Sequence, residues 1–303
     1  MLQIKRILCP IDFSDASRHA LTHAVTMARW YGAALTAIHV RSAAVFPNPP
    51  IIMAAAPDTL VPGLTDQPAL ESQLSQWIEP ARAAGVEADT MVLSGSPAAI
   101  ILDSARTLPA DLVVMGSHGR AGVERWMLGS VTEKVVRQAA CPVMTVPPAA
   151  SATSRLPFAH LLCPIDFSRS SLAALQVAFS VAEEAGARLT LLGVFEWAGA
   201  PRHAGDTPEF RTRWESETIR ELNALVPPDV RDWCTVDAAA GFGPAADQIL
   251  KLVLTDHADL IVMGVQGRTA LDMALFGSTT NDVLRHATCP VLTSRAGALA
   301  GGV

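Results

Sequence analysis

The chain has 303 residues, of which 50% are hydrophobic and 17% charged. At about 150 residues per domain this length suggests two domains, and so much apolar material excludes a disordered chain. With 23 Lys and Arg against 29 Asp and Glu the net charge is −6, so the basic footprint that a nucleic-acid partner requires is missing.

No uninterrupted apolar run reaches the roughly 18 to 20 residues that cross a bilayer, so no membrane association is expected. The first residues, MLQIKRILCPIDFS, resemble a weak secretory signal, but Asp12 interrupts the apolar stretch and no small-residue cleavage site follows. They read as a first strand. Five cysteines without a C-x-x-C pair suggest reduced thiols in a cytoplasmic protein rather than a disulfide framework.

In chain order, short β-branched runs bounded by turn residues alternate with longer segments of helical period. Strands are predicted near 5–11, 34–40, 87–93, 111–115 and 142–146, and helices near 15–30, 66–84, 97–107 and 130–139. Strands separated by helices cannot form hairpins, so the sheet is expected to be parallel with right-handed crossovers and helices on both faces.

The chain then repeats itself. Residues 6–40 align with 160–194 at 17 of 35 identical positions, and 111–145 align with 259–293 at 17 of 35. The fold class is therefore α/β, as two repeated doubly wound domains, each a five-stranded parallel sheet. Their expected bounds are 1–150 and 154–297, separated by the Pro-, Ala- and Ser-rich stretch 147–159. Cys9, Cys141, Cys163 and Cys289 are placed at strand starts as small buried residues. Cys234 has no counterpart.

Ligands of open parallel sheets bind beyond the carboxyl ends of the strands, where strand order reverses. Two sequence features fall there. Asp12 and Asp166 each end a first strand and precede Phe-Ser and a helix; the alternative for these residues, and equally for Ser14 and Ser168, is helix capping. After the fourth strand, Gly116, Gly119 and Gly129 have the spacing G-x2-G-x9-G followed by Ser130, and Gly264, Gly267, Gly277 and Ser278 repeat it. Glycines permit close backbone approach, and a helix N-terminus presents free N–H donors with partial positive charge, so the pattern reads as a phosphate cradle. Ser130, Thr132, Ser278 and Thr280 are expected to add hydroxyl donors, and Arg120 and Arg268 fixed charge. An ordinary glycine-rich turn with helix caps is the plainer alternative.

The I-D-F-S turn, the V-M-G-x-x-G-R segment, the G-x2-G-x9-G-S loop and the closing C-P-V strand, in that order and twice, resemble the universal stress protein family as a tandem two-domain member. In that family the glycine loop goes with ATP binding, and members without the loop do not bind ATP. The resemblance implies that Asp12 and Asp166 lie near adenosine, Val40 and Val194 against adenine, and Met115 and Met263 at the base or ribose edge. It further implies that Gly116, Gly119, Gly129, Ser130, Val131 and Thr132 surround ribose and phosphates in the first half. Gly264, Gly267, Gly277, Ser278, Thr279 and Thr280 would do so in the second. Mg²⁺ would arrive with the triphosphate. The resemblance also implies a pseudo-dimer of the halves through their last strands and association of two chains, an edge strand with unpaired N–H groups being the physical motive.

The halves differ. Arg125, His118 and Gly122 become Met273, Gln266 and Ala270, so weaker nucleotide binding is expected in the second half. Residues 241–246 satisfy G-x-G-x-x-A but follow a third strand, and a turn with Pro244 opening the next helix is the simpler reading. No P-loop motif occurs. His19 and His23 have metal-binding spacing but no third ligand, so no metal is expected. Segment 41–65 reads as a lid, a contact surface or a disordered excursion. Three functions stand at this point: an ATP-binding stress-response regulator, a slow ATPase or nucleotidyl-transfer enzyme, and an interaction module that uses no nucleotide.

Overall fold

A computed structural model of the chain describes residues 3–42, 67–119, 128–148, 150, 156–196, 207–266 and 277–295. The first half runs β1 (Arg6–Pro10), α1 (Asp15–Tyr31), β2 (Ala34–Arg41), α2 (Gln67–Ala83), β3 (Ala88–Ser94), α3 (Pro97–Thr107), β4 (Leu112–Gly116), α4 (Ser130–Gln138) and β5 (Val143–Val146). The second runs β6 (His160–Pro164), α5 (Arg169–Ala185), β7 (Arg188–Phe195), α6 (Pro208–Ala224), a short α7 (Val230–Trp233), β8 (Val236–Phe242), α8 (Ala245–Asp256), β9 (Leu260–Gly264), α9 (Ser278–His286) and β10 (Val291–Ser294). Segment 43–66, most of the stretch read as a lid, contact surface or excursion, lies outside the described residues.

Strand order in the sheet is β3-β2-β1-β4-β5-β10-β9-β6-β7-β8. Each half is parallel, and its order reverses between β1 and β4, which pair at Ile7 with Leu112 and Leu8 with Val113. In the second half β6 and β9 pair likewise at Leu161 with Leu260. The last strands join the halves antiparallel, with Val291 opposite Thr145, Leu292 opposite Met144 and Thr293 opposite Val143. Two five-stranded sheets thus become one ten-stranded sheet.

Central strands bury both faces, so they read as continuous apolar runs rather than alternating ones. Ile7, Cys9, Leu112 and Val114 point to a core shared with α1 and α5, which also takes in Met144 and Leu292 from the seam. Leu8, Val113 and Met115 point to the opposite core, against α3 and α4. The cysteines correct one expectation: Cys9 and Cys163 are fourth residues of five-residue strands, not first ones. Burial pushes the Cys9 thiol up to about 12 and raises Cys163 as well, so neither is a thiolate near neutral pH.

The histidine pair on α1 has structural partners. His19 Nε2 lies 2.7 Å from the Ala150 carbonyl, and His23 Nδ1 donates to the His19 carbonyl at 3.0 Å. His23 is 2% exposed, its Nε2 has no hydrogen-bond partner among the described residues, and its repeat counterpart is Val177 at 0%. Burial lowers its pKa from 6.5 to about 4. The unfolded chain therefore binds the extra proton first, and stability falls as pH drops from 6.5 towards 4. At about 1.4 kcal/mol per pH unit, the loss below both values is roughly 3 kcal/mol. Urea unfolding across this window is expected to show that loss in the wild type and a much flatter profile in His23→Val.

Candidate functional site

Each half opens its first helix with the same strained turn. Phe13 and Phe167 adopt left-handed backbone angles, φ 62° and 61°, which cost a bulky residue roughly 1 to 2 kcal/mol. Asp12 Oδ1 holds the turn by accepting from the Ser14 backbone N–H at 3.0 Å and from its hydroxyl at 2.5 Å. Ser14 Oγ in turn accepts from Ser17 N–H at 3.2 Å, so Ser14 is the N-cap of α1. Capping and site-building therefore coexist: Ser14 caps, and Asp12 orients Ser14. In the second half Asp166 Oδ1 accepts from Ser168 N–H at 3.0 Å, and Ser168 caps α5 through Ser171. Phe13 is fixed by packing on His39, with ring centroids 4.6 Å apart, and edge-on against Trp77 at 5.2 Å.

The glycines divide into two kinds. A Cβ on Gly116 would lie 3.0 Å from the Ala16 carbonyl oxygen, and one on Gly264 would lie 2.6 Å from Ser170 Oγ. These glycines let α1 and α5 pack directly on the ends of β4 and β9. Gly129 differs, because its φ of −62° is open to any residue and an added Cβ would meet protein only at ordinary distances of 3.4 Å or more. Gly129 caps α4 without a side-chain bond and Gly277 does the same for α9, leaving first-turn N–H groups without a side-chain acceptor. Gly119 stands against Asp12, whose Oδ2 would be 2.8 Å from a Cβ there.

These parts surround a cavity of about 900 Å³ at the carboxyl ends of β1, β2 and β4. Asp12, Val40, Met115, Gly116, Gly119, Gly129, Ser130 and Val131, eight residues singled out from the sequence, all line it. Its lining combines apolar Ile38, Val40, Pro97 and Ile101 from β2 and α3 with Asp12 after β1, His118 and Gly119 after β4, and the Gly129–Ser130 helix start. Pro97 and Ile101, one turn apart on α3, were not anticipated, nor were Arg41 and Ser42 at the end of β2.

Thr132 and Thr280 correct the sequence reading of phosphate-facing hydroxyls. Both are 3% exposed and donate inward, Thr132 to the Gly116 carbonyl at 2.9 Å and Thr280 to the Gly264 carbonyl at 3.1 Å. They brace the first turn of α4 and α9 against the strand ends. Met263 is the next-to-last residue of β9 at 4% exposure, Val194 lies near the end of β7, and Ser278 and Thr279 open α9. Arg120, Gly267 and Arg268 lie outside the described residues, as do Gly122, Arg125, Ala270 and Met273. Residues 241–246 form the turn into α8, with Pro244 at its N-cap. Among the described residues no cluster of three or more His, Cys, Asp or Glu side chains is arranged to hold a metal, and no helix is long and apolar enough to cross a membrane.

A doubly wound α/β repeat with a cradle at its topological switch point is thus the class of protein that fold and cavity define. The family model described as the universal stress protein family matches residues 3–147 and 157–295, and the chain belongs to that family. It is 37% identical over 142 residues to Universal stress protein MJ0531 of Methanocaldococcus jannaschii, spanning 47% of this chain and 81% of that one. It is 35% identical over 144 residues to Universal stress protein YxiE of Bacillus subtilis, spanning 46% of this chain and 97% of that one. A solved universal stress protein from Archaeoglobus fulgidus has the same fold throughout, with a TM-score of 0.70 over 97% of each chain at 21% identity.

The two kinds of glycine are separable by experiment. Gly116→Ala must push α1 away from β4, and thermal or urea unfolding is expected to show a loss of roughly 1 to 3 kcal/mol. Gly129→Ala meets no clash and exchanges only one N-cap residue for a poorer one, so its loss in the same assay is expected to be about 1 kcal/mol or less.

Proposed function

We propose that this chain is an ATP-binding regulator of the stress response, with nucleotide occupancy in the first half tuning conformation and association of the chain. The observation that carries the reading is the first-half cavity. Its apolar lining residues Ile38, Val40, Pro97 and Ile101 suit a flat base, and the Gly129–Ser130 helix start in the same cavity suits phosphate.

The chemistry is consistent across the cavity. Asp12 accepts hydrogen bonds and repels phosphate, so it pairs with ribose hydroxyls or the adenine amino group and orients the nucleotide base-inward. Gly129 lines the cavity without a side chain at the start of α4, which suits approach of phosphate to the first-turn amides. Met115 closes the floor between base and sugar. Mg²⁺ comes with the triphosphate and neutralises part of its charge; the protein's residues supply position rather than metal ligation. The cytoplasm, with its ATP and reduced thiols, is the compartment in which such a regulator works.

The test is to denature freshly purified protein in acid, identify the released small molecules by mass spectrometry and count them per chain. ATP is expected in the wild type and absent from Gly129→Ala, whose melting temperature without ligand stays close to the wild type. At ATP concentrations near 100 Kd the wild type should gain about 2.7 kcal/mol of stability. ADP in place of ATP would favour the hydrolase reading. No nucleotide, and no thermal shift with MgATP, would leave an interaction module. Asp12→Asn, which keeps one acceptor oxygen but loses the charge, is expected to weaken binding roughly 10- to 100-fold by calorimetry.

A further inference from the structure

We infer that two copies of the chain join edge to edge through β8, strand against strand about a two-fold axis at Ala239. The inference names the surface for the association included in the reading above, and it does not depend on nucleotide occupying the cavity.

The ten-stranded sheet ends on β3 and β8, each hydrogen-bonded to a neighbouring strand on one side only. Along β8 the bonds to β7 are bracketed by Leu189 N–H on the Thr235 carbonyl and Gly243 N–H on the Phe195 carbonyl. Backbone groups alternate in direction along a strand, so the odd-numbered residues face β7, while Val236, Ala238, Ala240 and Phe242 point their N–H and C=O groups outward. None of these outward groups is bonded elsewhere among the described residues. All seven residues of β8 stay in register with β7 and none is proline or lysine, so the bulges and gatekeepers that blunt a free edge are missing from this strand. Its one charge, Asp237, is held by Arg188 at 2.6 Å.

The pairing that uses all four outward residues is antiparallel and self-complementary. Ala238 meets Ala240 of the second copy, Val236 meets Phe242, and Ala239 meets its own counterpart. The chain already joins its own halves in this manner, β5 against β10. Pairing of β8 with β3 of another copy would leave a free edge at each end and grow without limit, whereas the two-fold closes.

The flanking helices distinguish the two edges. α6 lies across β7 and β8, where Gly193 leaves room for Thr218 and Trp214 rests on Phe242 with ring centroids 4.8 Å apart. Two α6 helices would stand about two strand spacings apart, roughly 10 Å, the ordinary distance of packed helices. α6 interleaves three arginines with four glutamates, so an antiparallel copy can match it. α2 and β3, at the other edge, carry Glu71, Glu79 and Asp89 against Arg82, and two such edges repel. On the opposite face α8 packs on β7 and β8 and holds Leu254, 61% exposed, where the repeat has Arg106 on α3. Apolar surface thus replaces charge beside β8.

Sedimentation velocity of the full-length chain is expected to give a dimer, twice the 32.0 kDa chain. Ala240→Pro removes an outward N–H without touching a bond to β7, and it is expected to give a monomer with the circular dichroism of the wild type. Thr90→Pro, at an outward position of β3, is expected to stay dimeric. A second measurement needs no loss of association: residues facing each other outside the hydrogen-bonded pairs have Cα atoms about 4.5 Å apart, within disulfide reach. Ala239→Cys is therefore expected to give a covalent dimer on mild oxidation, and Met91→Cys, its counterpart on β3, none. A monomeric wild type, a folded Ala240→Pro that stays dimeric, or an Ala239→Cys that does not cross-link would overturn the inference. A wild-type dimer that passes these tests and carries no ATP supports it and counts only against the nucleotide reading.

Discussion

A parallel sheet of five strands leaves its last strand with unpaired N–H and C=O groups along one edge, and satisfying that edge organises this molecule. β5 and β10 are each four residues long and pair antiparallel about Met144 and Leu292. Because the pairing is antiparallel, the strands of the two halves run in opposite directions. The carboxyl ends of β1 and β4 therefore lie at one end of the sheet and those of β6 and β9 at the other. Two cradles built from one motif cannot share a ligand, and each is free to diverge without disturbing the other. On one face the same pairing merges α1, α5 and Phe158 into a continuous core.

Within a half, the decisive contact is the approach of the first helix to the fourth strand. Gly116 allows it in one half and Gly264 in the other, and Thr132 and Thr280 lock the following helix to the same strand ends. The cavity exists because these three elements meet at the point of strand-order reversal. A strained Phe at the Asp-Phe-Ser turn aims Asp12 at that gap, and its aromatic stack on His39 and Trp77 holds the strain in place. Gly116, which admits α1, and Gly129, which opens α4, sit thirteen positions apart in one motif.

The fold was largely readable from the amino acids because each element announces itself locally. Helical period, β-branched runs and the internal repeat are properties of neighbouring residues, and the first-half elements fall within one residue of expectation. The site was partly readable for the same reason: Asp12, Gly119, Gly129 and Ser130 belong to short motifs with a recognisable chemistry. What was not readable depends on tertiary placement. Nothing in the spacing of Pro97 and Ile101 says that one face of α3 closes the cavity. The threonines one turn into α4 and α9 look like phosphate donors in a linear motif, yet helix geometry turns them to the strand carbonyls. Glu196 lies 49 residues from the Ala245 amide it holds, and only the side-by-side placement of β7 and β8 brings the two together.

The central claim is that nucleotide occupies the cavity of the first half, base against α3 and phosphates at α4. Photolabelling the full-length protein with 8-azido-ATP, followed by digestion and peptide mapping, reads this position directly. The account predicts label in peptides covering residues 38–42 and 97–101, suppressed by excess ATP. Label confined to the second half, or label that ATP does not displace, would contradict it.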